Sequence, residues 1–243
     1  MTTLSILRRE LAAYFSTSLA AVFLVVFLVA AGVLTFYSGD FFEHGQADLS
    51  TFFSFHPWLF VVLMPALAMR LWAEEQRTGT IELLMTMPVS PWEVVVGKFL
   101  AAWIFAALAL VLTFPIWITV NYLGSPDNGV IFASYVGSLL MAGSFLALAC
   151  CVSALTSSQV SAFVLSVAAS VVLLIANQAP LVALLGGIAP GYLVDLIASL
   201  SLAQHFDAIT RGVLEGRDVV FFIGFIALLL FLNCQILNIR RGN

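Results

Sequence analysis

Five stretches of the chain carry no Asp, Glu, Lys or Arg: residues 11–39, 49–69, 99–126, 128–194 and 219–239. A helix needs about 20 apolar residues to cross some 30 Å of hydrocarbon, so four of these stretches hold one span each. The longest holds two, divided at Thr156-Ser157-Ser158-Gln159. The pattern therefore predicts an all-α membrane protein, a single domain over residues 1–243, with six transmembrane helices. Their expected positions are near 18–38, 56–73, 98–123, 130–155, 160–178 and 218–239. Residues 180–202 are apolar too, but Gly186-Gly187 and Pro190-Gly191 divide them into pieces too short to cross alone. Asp195 would cost roughly 2.5–3.5 kcal/mol at the centre of a seventh helix. Two short re-entrant or interfacial helices fit better, their broken backbone shielded by protein, inside an external cap over 179–217. Ahead of the first span, Leu4, Leu7, Leu11 and Tyr14 recur at helical spacing, with Arg8, Arg9 and Glu10 mostly off that stripe. That spacing predicts a short amphipathic helix at the membrane surface, with a frayed extension of the first span as the alternative.

Composition removes the soluble classes. Of 243 residues, 62% are hydrophobic and 9% charged, whereas soluble domains are about a quarter charged. The formal net charge of -4 is uninformative about partners, and no nucleic-acid partner is expected; what matters is where the basic residues fall. With a cytoplasmic N-terminus, the inner segments hold Arg8, Arg9, Arg70, Arg77, Lys98, Arg240 and Arg241, and the outer ones only Arg211 and Arg217. This asymmetry predicts both termini in the cytoplasm, and a seventh span would weaken it. The first apolar run exceeds the 7–15 residues of a secretory signal and reads as a retained span. Cys150, Cys151 and Cys234 lie in apolar stretches and read as small hydrophobes.

The loop joining spans two and three, residues 74–97, has its own helical punctuation. Thr78-Gly79 interrupts the helix leaving the membrane, and a second short helix follows, with Glu82 in its first turn and Ile81, Leu84 and Met85 on one side. Pro88 stops it. Ser90-Pro91-Trp92-Glu93 then reads as a capping box with proline at the first helical position, launching span three, and Trp92 and Lys98 suit the interface. A loop so short and structured, with apolar and acidic faces, either docks on a partner or is merely a well-capped connection.

The run Ala73-Glu74-Glu75-Gln76-Arg77-Thr78-Gly79-Thr80-Ile81-Glu82-Leu83-Leu84, with Met87-Pro88-Val89-Ser90 and Gly97-Lys98 behind it, resembles the signature of type-2 ABC transporter permeases. Near the C-terminus, Ser201, His205-Phe206, Arg211-Gly212-Val213 and Asp218-Val219 are similar to the branch of the gliding-motility permease GldF, with the nitrous-oxide-reductase maturation permease NosY as a relative. The resemblance implies a permease subunit of an exporter-like complex in the bacterial cytoplasmic (inner) membrane. It implies pairing with a second permease subunit as a homodimer, seating on a dimer of ABC ATPase subunits, and an auxiliary periplasmic-facing membrane protein. Glu74, Glu75, Gly79, Thr80, Glu82 and Leu83 would then form the ATPase contact, and His205, Phe206, Arg211 and Gly212 would belong to the external cap. The chain has no G-x-x-x-x-G-K-[ST] loop, since Gly97-Lys98 precedes Phe99 without the upstream glycine. ATP and Mg are therefore expected on the partner, with no cofactor and no catalytic residue on this chain.

Other candidates carry less. His44, His56 and His205 are predicted near the outer face without metal-ligand spacing, so no metal site is assigned. Ser134, Ser138 and Ala142, and likewise Ala162, Ser166 and Ser170, repeat at spacing four, which suits close helix packing, a dimer seam or a substrate path. The rival class is an ion-coupled secondary carrier, which usually places ionisable groups at mid-membrane; the predicted spans hold no Asp, Glu, Lys or Arg there. An intramembrane enzyme is weaker still, because no His shares a depth with a plausible nucleophile.

Overall fold

The computed structural model describes residues 3–38, 48–80, 90–186, 190–212 and 215–241, and every regular element among them is helical. Helix α1 (Thr3–Ser16) is followed by α2 (Ser18–Val33), which runs on as a π-helical turn over Leu34–Ser38. A single turn, α3 (Ser50–Ser54), leads into α4 (His56–Thr78). Then come α5 (Pro91–Val111), α6 (Phe114–Leu123), α7 (Asn128–Leu155) and α8 (Gln159–Ile175). Three short helices, α9 (Ala179–Gly186), α10 (Gly191–Ser199) and α11 (Leu202–Thr210), precede the last, α12 (Gly216–Arg241). The apolar region over residues 180–202 thus holds two short helices, α9 and α10, one before the Gly186-Gly187 break and one after Pro190.

Among the described residues, five helical segments are long and apolar enough to cross a membrane: Ala20–Tyr37, His56–Thr78, Pro91–Leu123, Asn128–Leu155 and Gly216–Ile239. The predicted span at 160–178 corresponds to α8, which is apolar but 17 residues long. The predicted span at 98–123 falls in two pieces. Pro115 has no N–H to offer the carbonyl one turn back, so the ladder breaks at Leu112-Thr113. There the Thr113 hydroxyl donates to the Leu110 carbonyl at 2.6 Å and meets the Tyr135 hydroxyl at 2.9 Å. Side-chain caps start the next two helices: Asp127 accepts from the N–H groups of Gly129 and Val130, and Ser158 from that of Ser161.

Helix α7 is the centre of the bundle, and α4, α5, α8, α11 and α12 all pack on it. Its composition permits this. Ser134, Gly137, Ser138, Ala142, Gly143, Ser144 and Ala147 are all buried, and small side chains let neighbouring backbones come close. A Cβ on Gly143 would lie 2.8 Å from the indole nitrogen of Trp103, and one on Gly137 would lie 2.9 Å from Ile209 Cγ2. Ala162, Ser166 and Ser170 of α8 are likewise buried inside the chain. Both small-residue stripes therefore serve packing within one subunit.

Two positions differ from the sequence pattern. Helix α1 packs on α5 through Ile6, which is buried, while Leu4 is exposed. Gly97 causes this: its missing side chain opens a slot that Ile6 fills, with an added Cβ only 2.9 Å from Ile6 Cγ2. His56, expected near the outer face, is fully buried, its Nδ1 2.8 Å from Ser138 Oγ and its ring among Phe27, Phe52, Phe53 and Phe60.

Candidate functional site

Helix α4 stops at Gly79, whose φ of 73° places it in the left-handed region that a residue without Cβ adopts freely. The hydroxyl of Thr78 donates to the Glu74 carbonyl at 2.9 Å and lies 2.9 Å from the hydroxyl of Thr80, so the last turn is tied off by side chains. The described residues continue at Ser90. Ser90 Oγ accepts from the Glu93 N–H at 3.4 Å and Glu93 Oε2 accepts from the Ser90 N–H at 3.1 Å, the capping box that the sequence predicts. Glu82 and Leu83, and with them most of the predicted short helix, lie outside the described residues. The loop is thus seen from its two anchored ends.

The stem is held from inside the bundle. Ser153 of α7 places its Oγ in the hydrogen-bond ladder of α4, accepting from the N–H groups of Ala73 (3.2 Å) and Trp72 (3.3 Å) and donating to the Met69 carbonyl at 3.1 Å. One turn on, the Gln76 side chain donates to the Ala154 carbonyl at 2.7 Å. These bonds fix the end of α4 to the end of α7.

Charges organise the rest of the stem. Arg70 pairs with Glu74 at 2.9 Å, a half-exposed i,i+4 contact worth about 0.3–0.5 kcal/mol. Lys98 is different: its side chain is only 3% exposed, and its ammonium lies 2.8 Å from Glu75 Oε1 and 3.3 Å from Glu10 Oε1. The same nitrogen sits 5.3 Å from the centroid of the Trp72 ring. Burial pushes the Glu10 carboxyl up, but Lys98 and then Arg9 outweigh it and hold the group below the usual carboxylate range. Sequence reasoning placed Lys98 at the interface; it is buried instead, because partners from two other helices neutralise it. Glu75, assigned by resemblance to the ATPase contact, is turned inward onto this lysine.

The second group of site residues converges at the other end of α7. His205 Nδ1 lies 2.6 Å from Asp218 Oδ1, Nε2 lies 3.4 Å from the Ser199 carbonyl, and the ring stacks on Phe221 at 3.8 Å. Phe206 is buried against the space left by Gly137. Gly212, with φ of 86°, turns the chain over Val130, where a Cβ would meet Val130 Cγ2 at 2.7 Å. Arg211 is exposed. Asp207 is exposed, yet partial desolvation pushes its carboxyl up and Arg211 pulls it back. The partner of His205 was visible in the sequence only as a member of the same motif, thirteen residues on.

Among the described residues no group of three His, Cys, Asp or Glu is placed to hold a metal ion. His44 lies outside them. The helix ends at Gly79 and Ser90 thus lie at one end of α7, and the His205–Asp218 pair lies at the other. In comparisons with known proteins, the family described as ABC-2 family transporter protein matches residues 7–177. No curated protein matches the chain.

Proposed function

The chain belongs to the ABC-2 family of transporter proteins, and from that premise we propose that it is the membrane-spanning permease subunit of an ABC exporter-like complex. The family implies an ABC ATPase as partner. In our reading two such ATPase subunits bind ATP and Mg, two copies of this chain form the membrane unit, and an auxiliary membrane protein faces the periplasm. Six spans cross the bacterial inner membrane, α8 being the sixth; at 17 residues it covers about 25 Å, close to the hydrocarbon thickness. Both termini and the loop at 74–97 are then cytoplasmic, and residues 179–217, with their short re-entrant or interfacial helices, form the external cap. The cap motif supports the GldF and NosY branch, since His205, Phe206 and Gly212 all meet structural partners there.

The observation that carries this reading is the stem of the loop. Glu74, Glu75, Gly79 and Thr80 end α4 where its register is fixed by Ser153, and Ser90 restarts α5 with a complete cap. A push on the short segment between them, with Glu82 and Leu83 on it, is delivered to both helices rather than absorbed by slack. Closure of the ATPase pair on ATP would supply that push, and the work would appear as export or as force passed across the membrane.

Affinity purification tests it. The tagged chain should bring down a Walker-motif ATPase, and Glu82→Lys should abolish that recovery while elution and helix content stay unchanged. Failure to recover any ATPase, together with uptake by proteoliposomes that follows a pH gradient, would establish the secondary carrier instead.

A further inference from the structure

We propose that Lys98 is a positioning residue that pins α1 to the stem of α4, making the N-terminal helix a moving part of the transmission rather than a fixed surface anchor. The inference rests on the permease reading for what drives the motion, and on the structure alone for the pin.

Lys98 is the point at which three helices meet through charge. It stands on α5, takes Glu75 from α4 at 2.8 Å and Glu10 from α1 at 3.3 Å, and is 3% exposed. A buried ammonium that loses a carboxylate is disfavoured, because each partner offsets part of the cost of taking the charge out of bulk water. Glu75 is equally committed: its second oxygen, Oε2, is enclosed and has no hydrogen-bond partner among the described residues. The stem therefore moves with its lysine or leaves charges unpaired.

The link from α1 to α4 is electrostatic rather than packed. Helix α1 packs on α5 and α2. Between α1 and α4 lies a cavity of about 180 Å³ bordered by Glu10, Tyr14, Arg70, Glu74, Glu75 and Lys98. Side chains do not fill this gap, so the stem has room to shift against α1. What spans it is the Lys98 pair, with a second, longer tie from the Tyr14 hydroxyl to the Leu67 carbonyl at 3.3 Å. The adjacent residue, Gly97, seats Ile6 of α1. Residues 97 and 98 together thus fix α1 on α5 sterically and join it to α4 by charge.

The test uses spin labels in the full chain in lipid nanodiscs, at the exposed positions Arg8→Cys on α1 and Thr78→Cys on α4. The three native cysteines are buried. Dipolar spectroscopy should give one narrow Arg8–Thr78 distance in the parent and in Lys98→Arg. In Lys98→Met the narrow distance should be lost while helix content is unchanged. Where Lys98→Met does not fold, Glu10→Gln serves, since it removes only the α1 arm and leaves the Glu75 pair. An unchanged narrow distance in the folded variants overturns the pin. A third label at the exposed Tyr122, with the ATPase partner and trapped ATP, then reads the motion. Both Arg8–Tyr122 and Thr78–Tyr122 distances should shift in the parent, and only the latter in Glu10→Gln. A shift at Thr78 without one at Arg8 in the parent overturns the moving-helix claim. Absence of any ATPase association defeats the permease reading instead, and leaves the resting distances to decide the pin.

Discussion

Gly143 is a close-packed point where three helices meet, and replacing it with alanine gives a signed prediction. The new methyl would stand 2.8 Å from Trp103 Nε1, 3.0 Å from Ile226 Cδ1 and 3.1 Å from Trp103 Cε2. A rigid indole cannot yield as the end of a flexible chain would, and this one is also tethered by its N–H to the Leu139 carbonyl at 2.9 Å. Overpacking costs about 1–3 kcal/mol. Displacing the indole adds about 0.5–1.5 kcal/mol for its hydrogen bond. Against this, alanine gains about 1 kcal/mol over glycine inside a helix. The sum is a net destabilisation on the order of 1–3 kcal/mol. Thermal unfolding of the purified protein in detergent measures it. The background matters: with Trp103→Leu in place the clash with the rigid indole is relieved and only the flexible end of Ile226 must shift, so Gly143→Ala should become much less costly or neutral, a change that a double-mutant cycle resolves. If Gly143→Ala is as stable as the parent while Trp103 is present, the close approach of α5, α7 and α12 described here is wrong.

Two further outcomes follow from buried charges. Substituting His205→Ala should destabilise the chain by roughly 1–3 kcal/mol or more, because Asp218 Oδ2 already has no partner among the described residues and Oδ1 would lose its own; adding Asp218→Leu should recover part of the loss, read in the same unfolding assay. Acidification should open the α1 clasp late. Glu10 has a lowered folded-state pKa, so its stabilisation is full above the unfolded carboxylate value and disappears as pH falls through the folded one. The Arg8–Thr78 distance should hold through mild acid and lengthen only below the ordinary carboxylate range, whereas in Lys98→Met it should already be broad at neutral pH and show no such acid step.

Local chemistry was readable in the sequence, and long-range chemistry was not. The Ser90 to Glu93 box and the stop at Gly79 involve residues within one turn, so spacing alone predicts them, and the structure has both. The apolar runs likewise locate the long helices. The division of the third run needed more weight on Pro115, whose missing N–H is a sequence-level signal. Lys98 could not be understood from its neighbours, since Glu10 is 88 residues away and only folding supplies the two carboxylates that let a lysine be buried. The same holds for His56: a histidine at the start of an apolar run reads as interfacial until Ser138, 82 residues on, is seen to meet its ring. The α1 stripe was legible in part: Leu11 and Tyr14 pack against the core, while Leu4 is exposed and the slot at Gly97 takes Ile6 in its place.

The seat of the Ser153 hydroxyl inside α4 has a kinematic consequence. It is bonded on one side to the Met69 carbonyl and on the other to the Ala73 N–H, the very pair that the helix would otherwise join directly. Axial translation of α4 past α7 by a single residue would break all of these bonds at once. Together with the buried His56–Ser138 contact at the other end of the same pair, this seat locks the register of α4 against α7 along most of their shared length.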